Sequence, residues 1–244
     1  MSTFLAEAKQ TVAPSRDARD GLLPPLLVAL TVVTGLVDSF SYLVLGHVFV
    51  ANMTGNVVFF AFALAGVGGF SAPASVAAIG CFAAGALGAG RLGRSLGARP
   101  VLLGVTAGIE AVIVAETVTM AALTARPIPA GLRYALIVSL SLAMGAQNAT
   151  ARKLAVPDLT TTVLTLTITG IAADSPLAGA TGAHAARRLI SVLAMFVGAL
   201  AGALLVLRVH IVYPLVIALI ILAAVAVLGA IRARNPRTSP HPAT

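Results

Sequence analysis

Asp38, Asn52, Thr54 and Asn56, and further on Gln147, Asn148, Thr161 and Thr165, are hydrogen-bonding side chains set inside long apolar runs. Together they offer one acid, several amides and several hydroxyls, the groups that would bind a small polar solute, with Asp38 able to carry a proton or cation. An acid at mid-membrane depth is unfavourable by roughly 2.5–3.5 kcal/mol on insertion scales, so it must face a partner or a wet cavity. Asp38 is therefore read either as a proton or cation site or as an interhelical hydrogen bond near a helix end. Glu110 is a second proton-coupling candidate. Glu116 lies six residues on, about 9 Å along a helix and about 120° around it, so the two cannot form a close pair.

Asn52 and Asn56 share a helical face from which Thr54 points away. If Gly55 lets the backbone break, all three converge on one cavity, as in the discontinuous helices that build transporter sites. The alternative is a polar cap that starts a helix. In PDLTTTVLTLTITG, Thr161, Thr162, Thr165 and Thr169 fall on one helical face and Thr167 elsewhere. Such a stripe either lines a pathway or bonds its own helix carbonyls.

The elements that position these groups follow from composition. Hydrophobic residues make up 59% of the 244 positions and charged residues 10%, and mean hydropathy is +1.00. A soluble domain covers its core with about a quarter charged residues. Several apolar runs reach the roughly 20 residues a helix needs to cross the hydrocarbon layer. The fold class is an all-α polytopic transmembrane protein. Apolar runs at 22–45, 48–67, 71–93, 100–124, 131–150, 158–175, 187–208 and 210–233 predict about seven or eight helices, with residues 1–21 and 235–244 as flexible polar tails.

The halves, 22–124 and 131–233, resemble each other. Gly85-Ala86-Leu87-Gly88-Ala89 is similar to Gly198-Ala199-Leu200-Ala201-Gly202-Ala203, and Val48 to Thr54 aligns with Leu154 to Thr160. Two four-span repeats are expected, and an even number of spans per repeat predicts a parallel pair related by an axis along the membrane normal. With eight crossings both termini share the side that holds more of the basic residues, which predicts cytoplasmic termini.

The net charge of +8 is spread in small groups at the ends of apolar runs, where topology-setting charges belong, so nucleic acid is excluded as a partner. Membrane lipid and an unidentified small solute are the expected partners, and a homo-oligomer is left open. Cys81 is the lone cysteine. The histidines are dispersed, no P-loop or nucleophile motif is present, and no metal, cofactor or enzymatic activity is expected.

The stretches GLVDSFSYLVLGHVFVANMTGNVVF and AMGAQNATARKLAVPDLTTTVLTLTITG resemble the YoaK-like family of bacterial membrane proteins. The carrying elements are Gly35 with Asp38, Met53 to Asn56, and Gly145 to Asn148. The resemblance covers about residues 25–232 and implies a place in the bacterial inner membrane. It brings no substrate or reaction. The second half has Leu159-Thr160-Thr161-Thr162 where the first has Met53-Thr54-Gly55-Asn56, so any duplication has diverged. A solute transporter is the leading expectation. A scaffold or partner-binding protein, whose polar residues serve helix packing, is the rival.

Overall fold

A computed structural model describes residues 2–15, 20–124, 127–159, 161, 164–179 and 184–234, and among these the regular structure is helical. The helices are α1 (Ser2–Val12), α2 (Leu23–Val44), α3 (Met53–Leu64), α4 (Ala72–Ser95), α5 (Arg99–Leu123), α6 (Ala130–Leu154), α7 (Leu164–Ala173), α8 (Ala185–Arg208) and α9 (Tyr213–Arg234). Helix starts are written locally. Pro24, Pro73, Pro100 and Pro214 fall in first turns, where the missing N–H has no helical partner to lose. Ser71 caps α4 by accepting from the Ala74 N–H. The N-terminal stretch expected as a flexible tail contains α1, whose Glu7 lies 3.6 Å from His184 at the start of α8. Residues 235–244 lie outside the described residues, as do Arg16, Arg19 and Arg126.

Among the described residues five helices, α2, α4, α5, α8 and α9, are by length and composition able to cross a membrane. α6 is as long at 25 residues but carries Gln147, Asn148, Thr150, Arg152 and Lys153. It tolerates them because α4 and α5 cover it, and α2 is likewise flanked by α8 and α9. The apolar surface of α3, α4, α5, α8 and α9 faces outward, with Val57, Leu87, Val112, Phe196 and Ile220 more than half exposed.

Helix directions follow from which residues meet. Along α2 and α8 the contacts advance together, Val32 against Gly198 and Leu36 against Gly202, so these helices are parallel. α4 and α6 are parallel in the same way, through Gly85 with Leu142 and Gly93 with Lys153. α5 and α9 run oppositely, with Pro100 and Gly104 at Gly229 and Gly108 at Ala226. These seams rest on glycine: a Cβ on Gly35 would stand 2.6 Å from the Ala199 nitrogen, and one on Gly145 would fall on the Phe82 carbonyl oxygen. Close backbone approach through small residues is how helices associate in lipid.

The expected count of eight crossings is corrected by α3 and α7. They have 12 and 10 residues, about 18 and 15 Å of rise, against about 30 Å of hydrocarbon. With α3 and α7 removed from the count, α2, α4 and α5 run in directions opposite to α6, α8 and α9 respectively.

Two faces result. The ends of α4 and α6 and the starts of α2, α5 and α8 share one face, tied by Arg99 to the Leu154 carbonyl and by Arg99 to Asp20 at 3.5 Å. On the other, the His47 ring nitrogen meets the Gly69 carbonyl at 3.1 Å and the Ser71 hydroxyl meets that of Tyr134 at 3.3 Å. The chain between α2 and α4 thus leaves and returns at one face.

Candidate functional site

The polar residues of FVANMTGN fold a break in the oil. After α2 ends, residues 48–52 run back along it, and their backbone groups have no helical partner. Asp38, two turns inside the end of α2, supplies one. Its Oδ1 accepts from the Val50 N–H at 3.0 Å and the Ala51 N–H at 2.9 Å, and its Oδ2 accepts from the Asn52 side-chain amide. Asn56 completes the fixture from the first turn of α3, with Oδ1 accepting from the Phe49 N–H at 2.9 Å and Nδ2 donating to the Phe49 carbonyl at 2.6 Å. Non-helical backbone is tolerated at membrane depth only when its groups are satisfied in this way. Asp38 and Asn56 are 3% and 0% exposed. Gly55 is required here by steric fit, because a Cβ would meet the Phe49 ring at 2.7 Å. That ring stacks on Tyr42, with centroids 5.0 Å apart, and the cluster extends through Phe59 to Phe70. Thr54 does not join Asn52 and Asn56; it is exposed.

The second half has a related device. Asn148, two turns inside the end of α6, donates to the Met144 carbonyl and accepts from the Thr161 hydroxyl at 3.2 Å, which brings the chain ahead of α7 back alongside the last two turns of α6. Its base is closed by charge. The Arg188 Nε donates to Asp158 at 2.8 Å and its Nη1 to Asp174 at 2.6 Å, so one guanidinium joins the two ends of the segment to α8. The fork lies over Gly170, where a Cβ would stand 2.6 Å from Nη1. The threonine stripe is not on the covered side: Thr165 and Thr169 are exposed, while Thr161 and Thr167 are buried. Thr160 and Thr162 lie outside the described residues.

Arg188→Ala leaves two carboxylates facing each other without a cation. Charged hydrogen bonds contribute roughly 1.5–3 kcal/mol each, reduced here because Asp174 is 53% exposed. A local loosening of about 1.5 kcal/mol is expected, about tenfold in the opening equilibrium. Thiol labelling of Thr167→Cys in a Cys81→Ala background is the measurement, with about tenfold faster reaction in the Arg188→Ala protein.

Between the two devices the halves meet. Gln147 on α6 donates through Nε2 to the Thr34 hydroxyl on α2 at 2.8 Å, one turn from Asp38 and one residue from Asn148. Thr34 itself donates to the Leu30 carbonyl, so its lone pair must accept from Gln147; this fixes the amide's orientation. Glu110 lies on the inner stripe of α5 at 1% exposure, and neither of its oxygens has a hydrogen-bond partner. Glu116 is turned away, in an outward groove with Val112, Ala115, Thr119 and Met120. Among the described residues no group of His, Cys, Asp and Glu could hold a metal.

Thr34, Phe49, Asp174 and Arg188 were not legible as site residues. The pairing of Arg188 with Asp158 and Asp174 had a signal in the two acids that bracket the sixth apolar run, but a basic residue at a span end reads first as a topology determinant. Thr34 is one hydroxyl in an apolar run and carries no spacing signal.

These features define a polytopic α-helical membrane protein whose central helices carry buried polar groups beside two short helices. The chain matches, over residues 26–228, the family described as "Protein of unknown function (DUF1275)", and it belongs to that family. It is 32% identical over 153 residues to the UPF0700 transmembrane protein YoaK of Bacillus subtilis (strain 168), a match covering 61% of this chain and 65% of that protein. The match thus spans a little under two thirds of that relative's length. The YoaK-like resemblance read from the motifs is borne out. No solved structure matches the chain.

Proposed function

We propose that the protein is a small-solute transporter of the bacterial inner membrane, built from two units of opposite orientation. Each unit has three crossings, α2, α4 and α5 in one and α6, α8 and α9 in the other, and one short helix that enters and leaves on a single face. The pairing of helices supports the relation: exchanging the two units turns α2 with α8 into α6 with α4, and leaves α5 with α9 unchanged. Inverted units with broken helices are a recurring transporter plan, with the solute bound where the breaks meet.

The observation that carries this reading is the Gln147–Thr34 bond, which lies between the tips held by Asp38 and Asn148. Solute would be held there by Asn52, Gln147, Asn148 and Thr161, and proton coupling would fall to Asp38 or Glu110. The Arg188 fork closes one base, and the His47 ring, 5.0 Å from that of Tyr42 and 6.0 Å from that of Phe70, closes the other, two gates at opposite faces. Basic side chains favour the cytoplasm for the face with Lys9, Arg91, Arg94, Arg99, Arg152, Lys153, Arg187, Arg188, Arg232 and Arg234; only Arg133 and Arg208 among the described residues lie on the other. Both termini are then cytoplasmic.

The test is flux into proteoliposomes across a panel of labelled small polar solutes, with and without a proton gradient. Gln147→Leu leaves Thr34 its own bond to Leu30 and replaces an amide by an apolar side chain of similar size. The expected result is a protein that still unfolds cooperatively, with at least tenfold slower flux. One observation favours the rival scaffold: Asp38 and Asn56 spend their hydrogen bonds on backbone. Wild-type vesicles that pass none of the solutes under any gradient would decide for it.

A further inference from the structure

Among the described residues, the buried side-chain atoms without a protein partner include both oxygens of Glu110 and the Oε1 of Gln147, in side chains each 1% exposed. Their levels coincide. α5 and α6 are antiparallel, registered by the Thr106–Thr150 hydroxyl pair at 3.0 Å and by Arg99 on the Leu154 carbonyl. From that pair Glu110 is four residues along α5, about 6 Å, and Gln147 three residues back along α6, about 4.5 Å. Glu110 shares the stripe of Thr106 one turn away, and Gln147 that of Thr150. Because Nε2 of Gln147 is committed to Thr34, its unpaired oxygen is turned from α2.

We propose that Glu110 and Gln147 form a proton-operated switch that makes or breaks the tie between the two halves. With a proton on Glu110, the carboxyl O–H donates to Gln147 Oε1, and Nε2 remains on Thr34. When that proton leaves for water, the carboxylate has no hydrogen to give. It attracts the amide N–H instead, the Gln147 amide turns over, and the Thr34 bond is lost. The longer Nε2 contact to the Leu30 carbonyl, 3.4 Å, is lost with it, and the N–H bond to the Glu110 carboxylate is gained. One proton thereby controls whether α6 holds α2 beside the Asp38 and Asn148 tips. A proton is the ligand that fits, because two carboxyl oxygens and one amide oxygen fall short of the six or so that a hard metal cation takes.

The charged and titratable groups on the neighbouring elements leave Glu110 alone. α6 carries Arg133 and Tyr134 near one end and Arg152 and Lys153 near the other; α9 has Tyr213 and then none before Arg232 and Arg234. α4 contributes Cys81, Arg91 and Arg94, and α2 contributes Tyr42, stacked on Phe49 near its end, and Asp38, whose oxygens are bonded to residues 50–52. On α5 itself, Arg99 bonds the Leu154 carbonyl and Glu116 faces outward.

The switch deepens the transporter reading and rests on it for its purpose, but its test does not need flux. Infrared difference spectra of the purified full-length protein, taken across a pH series in D2O, read the C=O stretch of a protonated carboxyl. The expected result is a carboxyl band that disappears on raising pH, is absent from Glu110→Gln, persists in Asp38→Asn, and moves to higher frequency in Gln147→Leu, where its hydrogen bond is gone. Gln147→Met gives the same comparison if the leucine variant is poorly folded. Added sodium should leave the band in place. The absence of any band removed by Glu110→Gln, a band indifferent to the residue at 147, or one displaced by sodium overturns the switch. A band that behaves as expected in a protein that passes no solute removes the transport reading and leaves the proton switch standing.

Discussion

Gly145→Ala is expected to lower the stability of the folded protein by about 2–3 kcal/mol, while Gly88→Ala, one turn past the matching seam on α4, leaves it unchanged or slightly higher. The added methyl at 145 would fall on the Phe82 carbonyl, and backbone cannot step aside as a side chain can. Overpacking typically destabilises by 1–3 kcal/mol; here the whole of α4 must move outward, which places the effect at the upper end and outweighs the ~1 kcal/mol by which alanine is the better helix former. At Gly88 nothing lies within 4 Å, so the helix propensity acts unopposed. The unfolding midpoint in detergent measures both. Gly85 faces the Leu142 carbonyl across the same seam, so once the helices have parted for one methyl the second adds little. The Gly85→Ala, Gly145→Ala pair should therefore fall short of the sum of the singles.

Asp38→Ala is expected to be more damaging still. It strands the Val50 and Ala51 N–H groups and the Asn52 amide in a site from which water is excluded. Each buried donor left without an acceptor is worth roughly 1–3 kcal/mol, so a loss of about 3–6 kcal/mol is anticipated, comparable with the whole stability of many folds. Asp38→Asn keeps one oxygen for the two backbone donors and lets Asn52 turn its amide to match, so the loss should be about 1 kcal/mol. Unfolding midpoints, together with protease cleavage between residues 45 and 71, separate the two. Equal damage from alanine and asparagine would mean that the charge of Asp38, and not its acceptor geometry, holds the segment.

The sequence made the membrane class and most helix positions plain, because uninterrupted apolar length is a strong physical signal and proline marks the helix starts. It also singled out polar residues that the fold uses for hydrogen bonds: Asp38 and Asn56 hold residues 49–52, and Gln147 and Asn148 bond Thr34 and Thr161. What hydropathy could not supply was direction. The run at 48–67 is apolar because α3 faces lipid with Val57, Val58 and Leu64, and an apolar surface is needed by a short helix in lipid as much as by a crossing one. All eight apolar runs form helices, but on that ambiguity those at 48–67 and 158–175 were counted as crossings although α3 and α7 have only 12 and 10 residues. The threonine alternation misled for a similar reason: a hydroxyl facing outward can bond its own helix carbonyls, so Thr165 and Thr169 need no pathway to line. Partners distant in the chain, such as Thr34 for Gln147 or Asp174 for Arg188, leave no trace in local spacing.

The fixture around residues 49–52 also bears on how the chain is made. Until α2 is in place, the amide groups of Val50 and Ala51 have only water to bond, so this stretch cannot partition into hydrocarbon as it leaves the ribosome. It must wait at the lipid headgroups and enter late, after its neighbour has inserted. Biogenesis then passes through a half-inserted stage in which α3 exposes its apolar side at the bilayer surface, the stage at which membrane insertases and quality-control proteases would meet this protein.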